Sequence, residues 1–125
     1  MISNEVAARA VYAKVMSKFN RRGLKEEELK ARVKPRADGR IKYFNCNFEF
    51  STKSSFAVEM GLHKAQHLNI LDISGGMGYF AYICRALGHS VVMTDIPDEI
   101  FDEPLKKIFG FSKIIFGYPG EPWRF

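Results

Sequence analysis

Features that mark secreted, membrane-spanning or disulfide-rich proteins are scarce in this sequence. Only two of its 125 residues are cysteines, Cys46 and Cys84, and they form no motif. Because the sequence also shows no secretory signal, we expect reduced thiols and a cytoplasmic protein. No apolar run approaches the roughly 20 residues that cross a bilayer, so we expect no membrane association.

Histidine is also scarce, with three residues in the chain. His63 and His67 are spaced by one helical turn, which suits a metal ion, but no third ligand follows at an obvious spacing. We interpret both as core or surface histidines and predict no metal site.

The positive charge is concentrated in the first half of the chain. The formal net charge is +5, with 14 Lys and Arg against 7 Asp and Glu in residues 1–66, and 5 against 7 in residues 67–125. A basic arm at residues 32–42, with aromatic residues nearby, could bind nucleic acid or an anionic substrate. No nucleic-acid recognition motif accompanies it, and an acidic run lies at residues 26–28. We therefore favour a solvated surface over a nucleic-acid partner.

One βαβ unit is predicted for residues 68–95. Residues 68–73 form a mostly apolar run, typical of a strand buried in a parallel sheet, and lead directly into a glycine-rich turn. A helix follows, with Gly88 as its C-terminal cap, and Ser90–Asp95 has the pattern of a second buried strand. The apolar residues at helical spacing are Tyr79, Phe80, Ile83 and Leu87.

The glycine-rich turn is typical of a nucleotide site. Glycines allow the backbone to approach a ligand closely, and the first amides of the next helix are free to donate hydrogen bonds. Asp72 interrupts the apolar run, and a carboxylate there is costly to bury, so we place it at the crevice beyond the carboxyl ends of the strands. Asp95, at the end of the second strand, is placed to bind ribose hydroxyls.

Residues 72–78, whose sequence is Asp-Ile-Ser-Gly-Gly-Met-Gly, resemble the first motif of class I S-adenosylmethionine-dependent methyltransferases, Asp/Glu-x-Gly-x-Gly-x-Gly. The acid and the last two glycines match, and Ser74 replaces the first glycine. Residues 76–81 also satisfy the dinucleotide fingerprint Gly-x-Gly-x-x-Gly/Ala. A pyrophosphate near Asp72 would be repelled, whereas the cationic methionine end of S-adenosylmethionine would be attracted, so we favour S-adenosylmethionine as the cofactor.

The resemblance implies a role for several residues. Asp72 and the backbone of the glycine-rich turn would hold the amino acid portion of the cofactor, Asp95 its ribose, and Ile96 its adenine, with Tyr79 or Phe80 as an aromatic wall. No residue can be named as a catalytic base, and the small-molecule methyl acceptor is not identified. The implied cofactor-binding residues are Asp72, Ser74, Gly75, Gly76, Gly78, Tyr79, Asp95 and Ile96.

The rest of the chain after Asp95 supplies little of the family's fold. A short helix is predicted at residues 104–110 and a third strand at residues 112–116. The fold class that the resemblance implies is α/β, a Rossmann-like doubly wound parallel sheet, incomplete at about three strands. Because the family places its catalytic residues after the fourth strand, we expect a cofactor-binding half without its catalytic half.

The absent fourth strand has a structural consequence. The segment Asn69–Ile73 would present an unpaired apolar edge, which invites pairing with another chain. We therefore expect a homodimer, a segment swap or a complementing chain. Three functions remain open: the cofactor-binding portion of a small-molecule methyltransferase, an interaction subunit that completes a partner, and a nicotinamide-dinucleotide-binding fragment.

Residues 1–66 are predicted to be a helical extension, distinct from the cofactor-binding unit at 67–125. A first helix starts at Ser3 or Asn4 and ends before Gly23, and a second occupies residues 25–33. The predicted apolar stripe of the first helix consists of Ile2, Val6, Ala10, Tyr12, Ala13, Met16 and Phe19.

The alternation of apolar and polar residues over residues 44–50 predicts a half-buried extended segment. Ser51 or Ser54 then caps a further helix that carries Phe56, Met60 and His63. In the methyltransferase family such an extension often covers the cofactor or shapes the substrate entrance, and the resemblance implies that role here.

Overall fold

The computed structural model describes residues 2–21, 45–73, 78–95 and 114–116 of the chain. The expected α/β class is confirmed, and the helices predicted at residues 25–33 and 104–110 lie outside the described residues. In chain order the elements are α1 (Asn4–Asn20), α2 (Cys46–Glu59), β1 (Asn69–Ile73), α3 (Tyr79–Ala86), β2 (Ser90–Asp95) and β3 (Ile114–Phe116).

The three described strands form one parallel sheet in the order β1-β2-β3. The predicted strand–helix–strand unit is therefore confirmed, with α3 connecting two neighbouring parallel strands. Met93 and Thr94 are successive residues of β2 that point to opposite faces of the sheet, and both are fully buried. Burial on both faces is consistent with the three consecutive apolar residues at 91–93, where a half-exposed strand would alternate apolar and polar residues.

Helix α3 separates the sheet from α1 and α2. It packs against β2 on one side and against α2 on the other, and α1 packs mainly against α2. Phe50 of α2 is fully buried at the centre of an aromatic cluster. Its ring centroid lies 5.3 Å from Phe19 of α1, and 5.1 Å and 5.7 Å from Tyr79 and Tyr82 of α3. The helical extension and the βαβ unit therefore share one hydrophobic core.

The extended segment predicted at residues 44–50 is wrong, because α2 already begins at Cys46. Asn45 caps the helix, its side-chain oxygen accepting a hydrogen bond from the Phe48 amide at 3.0 Å. Cys46 and Phe50, four residues apart, are buried on one helical face, whereas Phe48 is 62% exposed. The predicted cap at Ser51 or Ser54 is likewise wrong, since both residues lie inside α2.

Helix α1 begins and ends as predicted but buries a different face. Ser3 is its N-cap and accepts a hydrogen bond from the Val6 amide, and the helix ends at Asn20. The buried residues are Val11, Val15 and Phe19, at a strict four-residue spacing. Most of the predicted stripe is instead exposed, including Ile2, Val6, Ala10 and Ala13. Apolar residues lie on two adjacent faces of this helix, and contact with α2 selects one of them.

Two histidines form hydrogen bonds between the residues that precede β1 and those at the start of β2. His89 is 3% exposed, and its Nδ1 accepts a hydrogen bond from the Leu68 amide at 3.0 Å. Its Nε2–H therefore donates to the Leu62 carbonyl at 2.8 Å, which defines a neutral imidazole. His67 donates from Nδ1 to the Gly88 carbonyl at 2.8 Å, and its Nε2 pairs with the Ser90 hydroxyl at 3.0 Å.

Gly88 follows α3 with φ +96°, the left-handed conformation of a helix C-terminal cap, as predicted. None of the helices in the described ranges is both long and apolar enough to cross a membrane.

Candidate functional site

Gly78, at the start of α3, has a backbone conformation that favours glycine. β1 ends at Ile73, and Gly78 occupies the N-cap position of α3 with φ +95°. This left-handed conformation costs about 1–2 kcal/mol for a residue with a β-carbon, so glycine is the suitable residue here. The Gly78 carbonyl accepts the first hydrogen bond of the helix, from the Tyr82 amide at 2.9 Å.

The N-terminus of α3 is electrostatically positive. The first amides of a helix have no partner within it, and they lie at the positive end of the helix dipole. Gly78 has no side chain that could cap them. In chain order, α3 is the next described element after the carboxyl end of β1, the edge of a parallel sheet where ligands bind in open α/β folds.

Asp72 is a residue of β1 near the carboxyl end of the strand. Its sheet partner in the register is Met93, a fully buried core residue, so the two side chains share the face that α3 covers. Its Oδ2 atom is withdrawn from solvent, and its backbone carbonyl accepts a hydrogen bond from the Thr94 hydroxyl at 3.3 Å. The carboxylate is thus partly desolvated near the end of β1.

The Asp72 carboxylate contributes to an altered pKa of the Cys84 thiol on α3. Burial, and secondly the negative charge of Asp72, raise the pKa of Cys84 from 9.0 to about 12. Both causes disfavour a thiolate near this carboxylate. Cys84 is therefore a protonated core thiol at neutral pH and not a nucleophile.

Asp95 is the last residue of β2, and Asp72 is the fourth residue of the neighbouring strand β1. In the parallel register Asp95 lies two positions beyond Met93, the partner of Asp72. Strand spacings of about 4.8 Å across and 3.3 Å per residue along the sheet place the two Cα atoms roughly 8 Å apart. The two acids predicted from the sequence are therefore brought to the same edge of the sheet, where α3 begins.

Tyr79 has a packing role in this structure. Its side chain is 2% exposed, its hydroxyl lies 3.8 Å from the Cys46 sulfur, and Lys53 Nζ lies 5.9 Å from the ring centroid. A ring held in the core in this way does not line an open site. Of the two aromatic residues considered as a wall for the cofactor, the half-buried Phe80 is the one with an accessible surface.

Four of the predicted cofactor-binding residues lie outside the described residues. They are Ser74, Gly75, Gly76 and Ile96. The predicted residues that the structure does place are Asp72, Gly78 and Tyr79, together with the backbone of Asp95.

The metal-binding pattern considered for His63 and His67 does not assemble in the described ranges. No group of three or more His, Cys, Asp or Glu side chains there could hold a metal ion. His67 bonds to Gly88 and Ser90, whereas His63 lies in the wall of a cavity beside α1. Cys46 and Cys84 are both buried and form no disulfide.

That cavity, of about 540 Å³, is the feature that sequence reasoning missed. It lies between α1, residues 63–64 and Leu87 at the end of α3. The signal for it was present in the second apolar face of α1, which includes Val6 and Ala10 and does not contact the core. No sequence pattern indicates which distant residues close such a face into a cavity.

Comparisons with protein-family models, with curated proteins and with solved structures found no match to this chain. Its function therefore has to be inferred from the residues themselves, above all from the unit formed by β1, α3 and β2.

Proposed function

We propose that this chain is the cofactor-binding portion of an S-adenosylmethionine-dependent methyltransferase with a small-molecule acceptor. The observation that carries the proposal is the parallel β1–α3–β2 unit, in which Asp72 and Asp95 share one sheet edge and Gly78 begins the helix with a positive φ. Residues 72–78 also resemble the first motif of that enzyme class. On this proposal the described strands belong to a Rossmann-like doubly wound sheet.

The charges at this edge suit the cofactor. The methionine portion of S-adenosylmethionine carries a sulfonium and an ammonium group, and a partly desolvated carboxylate such as Asp72 attracts cations more strongly than one in water. On this proposal, backbone amides in the first turn of α3 donate hydrogen bonds to the cofactor's carboxylate. Asp95 would accept hydrogen bonds from the ribose hydroxyls, a role carried over from the resemblance.

The cofactor, when bound, supplies an electrophilic methyl group. The residues of this chain would bind and orient it, and positioning accounts for much of the catalysis in an in-line displacement. No catalytic base is assigned. Since Cys46 and Cys84 are buried and unbridged, the proposed place of action is the reducing cytoplasm.

Calorimetric titration of the purified chain with S-adenosylhomocysteine tests the proposal, with NAD as the matched control. We expect saturable binding of S-adenosylhomocysteine and at least tenfold weaker binding of NAD, because the NAD pyrophosphate would lie near Asp72. Preferential binding of NAD would instead support the nicotinamide-dinucleotide interpretation. No binding of either ligand by the folded chain would contradict a nucleotide site.

A second candidate function, that of an interaction subunit, is favoured by the edge of the sheet. Among the described strands β1 pairs only with β2, and Leu71 on β1 is 47% exposed. We propose that this edge pairs with a second copy of the chain or with a complementing polypeptide.

Sedimentation velocity tests this pairing. If β1 forms the contact between copies, Leu71→Lys will raise the dissociation constant of the dimer at least tenfold more than Leu68→Lys, a change at another exposed leucine. A wild-type protein that stays monomeric at high concentration, with no copurifying partner chain, would contradict the edge-pairing hypothesis.

A further inference from the structure

A cavity of about 540 Å³ lies beside α1, on a different part of the molecule from the proposed cofactor site. We call it the α1 cavity. Apolar walls are formed by Ile2, by Val6 and Ala10 of α1, and by Leu87 at the end of α3. The polar groups come from Lys14, His63 and Lys64. Its volume falls within the range of about 300–1,000 Å³ that is typical of small-molecule sites.

His63 has hydrogen-bonding groups that no described residue satisfies. Both ring nitrogens, Nδ1 and Nε2, are withdrawn from solvent, and neither has a hydrogen-bond partner within the described part of the chain. The other two histidines differ, since both ring nitrogens of His67 and of His89 are hydrogen-bonded. Buried polar groups are normally paired, so an unpaired imidazole beside a cavity favours a polar ligand atom. Because both nitrogens are closed to solvent in the empty cavity, the ring has to turn toward the cavity to bond a ligand there.

The charge around the cavity is positive. Lys14 and Lys64 lie in its lining, and none of the described residues of that lining is acidic. Neither lysine forms an ion pair with a described acid. The nearby acid of α1, Glu5, pairs with Arg9 and lines a different depression. An anionic group would therefore be attracted to the polar end of this cavity.

The α1 cavity is remote from the proposed cofactor site. Leu87 follows the C-terminal end of α3, whereas Gly78 precedes its N-terminal end. The helix has eight residues and is about 12 Å long at 1.5 Å per residue. A ligand of the α1 cavity would thus not be the acceptor of a methyl group from a cofactor bound at the other end of α3.

We propose that the α1 cavity binds a small amphipathic carboxylate. The apolar body of the ligand lies against Ile2, Val6 and Leu87, and its carboxylate accepts hydrogen bonds from the His63 ring and from the flanking lysines. This site does not depend on the proposed methyltransferase function, because its ligand would bind at the opposite end of α3 from the cofactor.

Decanoate is a suitable probe, titrated below its micelle concentration into the full chain and compared with 1-decanol. We expect saturable binding of decanoate and at least tenfold weaker binding of decanol, which has the same apolar body without the charge. No saturable binding of decanoate, or equal affinity for decanol, would overturn the proposal.

A pair of exposed alanines on α1 provides a matched control. Ala10→Trp places a large side chain in the cavity, whereas Ala13→Trp adds the same group to α1 outside the lining. We expect Ala10→Trp to weaken decanoate binding at least tenfold and Ala13→Trp to leave it unchanged, with circular dichroism confirming that both variants fold. Equal effects of the two variants would contradict binding in this cavity.

A nuclear magnetic resonance measurement on the imidazole nitrogens locates the carboxylate. Addition of decanoate should shift the His63 ring nitrogens and leave those of His67 and His89 unchanged. Shifts confined to the other two histidines would contradict the proposed position of the carboxylate.

Discussion

The two ends of α3 present opposite chemistry. At its N-terminal end, Asp72 and Asp95 lie at the carboxyl edge of two parallel strands. At its C-terminal end, Lys14, Lys64 and His63 line the α1 cavity. Because a helix is positive at its N-terminus and negative at its C-terminus, acids near the first and cations near the second are both favourably placed.

Further cations lie at the C-terminal end of the helix. Lys18 of α1 donates a hydrogen bond from Nζ to the Ala86 carbonyl at 3.1 Å, and Arg85 lies in the last turn of α3. One short helix can therefore separate a site suited to a cationic ligand from a site suited to an anionic one. The two proposed sites lie at opposite ends of α3, so a substitution at one should leave the other intact. Loss of the hydrophobic core against which α3 packs should disrupt both.

The largest expected effect comes from disrupting the aromatic core against which α3 packs. Phe50→Ala deletes the ring that contacts Phe19, Tyr79 and Tyr82, and should lower the free energy of unfolding by about 3–5 kcal/mol. Phe48→Ala is the matched control on the same helix, since Phe48 is 62% exposed. It should change stability by no more than about 0.5 kcal/mol. Similar losses for the two variants in urea denaturation would contradict the shared core.

The raised pKa of Cys84 predicts a loss of stability at high pH. Below pH 9 the folded and unfolded states both hold the thiol proton, so this group has no effect on the pH dependence. Between pH 9 and 12 the unfolded state releases the proton and the folded state retains it. The free energy of unfolding should therefore fall by up to about 1.4 kcal/mol per pH unit over this interval.

Two variants isolate the contribution of the thiol in urea denaturation at a series of pH values. Cys84→Ala should remove this part of the pH dependence. Asp72→Asn should narrow the pH interval over which stability falls, because it removes one cause of the raised pKa of Cys84. A pH dependence that is the same in the wild-type protein and in Cys84→Ala would contradict the assignment.

A smaller and more selective effect is expected at the two glycines that flank α3. Gly78 and Gly88 have φ values of +95° and +96°, so alanine at either position should cost about 1–2 kcal/mol of stability. A β-carbon at Gly88 would meet no atom within 4 Å, so strain is the expected cost there.

The two substitutions should differ in ligand binding. Gly78→Ala should also weaken S-adenosylhomocysteine binding at least tenfold, because it alters the backbone where the cofactor is proposed to approach, whereas Gly88→Ala should leave that affinity unchanged. Calorimetry on the folded variants measures this difference. Equal affinities would place the binding surface away from the start of α3.

The βαβ unit was predictable because its signals are local. The apolar run before the glycine-rich segment, the helical spacing after it, and Gly88 as a cap each depend on residues close in sequence. The pairing of β1 with β2 then follows from the rule that a strand, a crossover helix and a second strand form parallel neighbours. The same locality explains why the start of α1 could be predicted at Ser3 or Asn4.

Helix α2 was mispredicted because the spacing of its apolar residues fits both a strand and a helix. Cys46 and Phe50 fit both an alternating strand and a helix with a four-residue spacing, and Phe48 favoured the strand. The side chain of Asn45, which caps α2, and the contact of Phe50 with α1 and α3 decide the outcome. The second of these depends on tertiary packing, which sequence periodicity does not contain.

The α1 cavity and the neutral state of His89 could not be predicted for a related reason. The cavity requires His63, Lys64 and Leu87 to approach α1 from distant parts of the chain. The tautomer of His89 depends on partners 21 and 27 residues away, Leu68 and Leu62. Neither arrangement leaves a periodic pattern in the sequence.

The central claim, that the edge formed by Asp72 and Asp95 binds S-adenosylmethionine, is tested most directly by calorimetric titration of S-adenosylhomocysteine into the wild-type chain and into Asp95→Ala. Loss of hydrogen bonds to a charged acceptor costs about 1.5–3 kcal/mol, so the variant should bind roughly 10- to 100-fold more weakly while remaining folded. Decanoate binding at the other end of α3 should be unchanged. Equal affinity of the wild-type chain and Asp95→Ala for S-adenosylhomocysteine would contradict the proposed site.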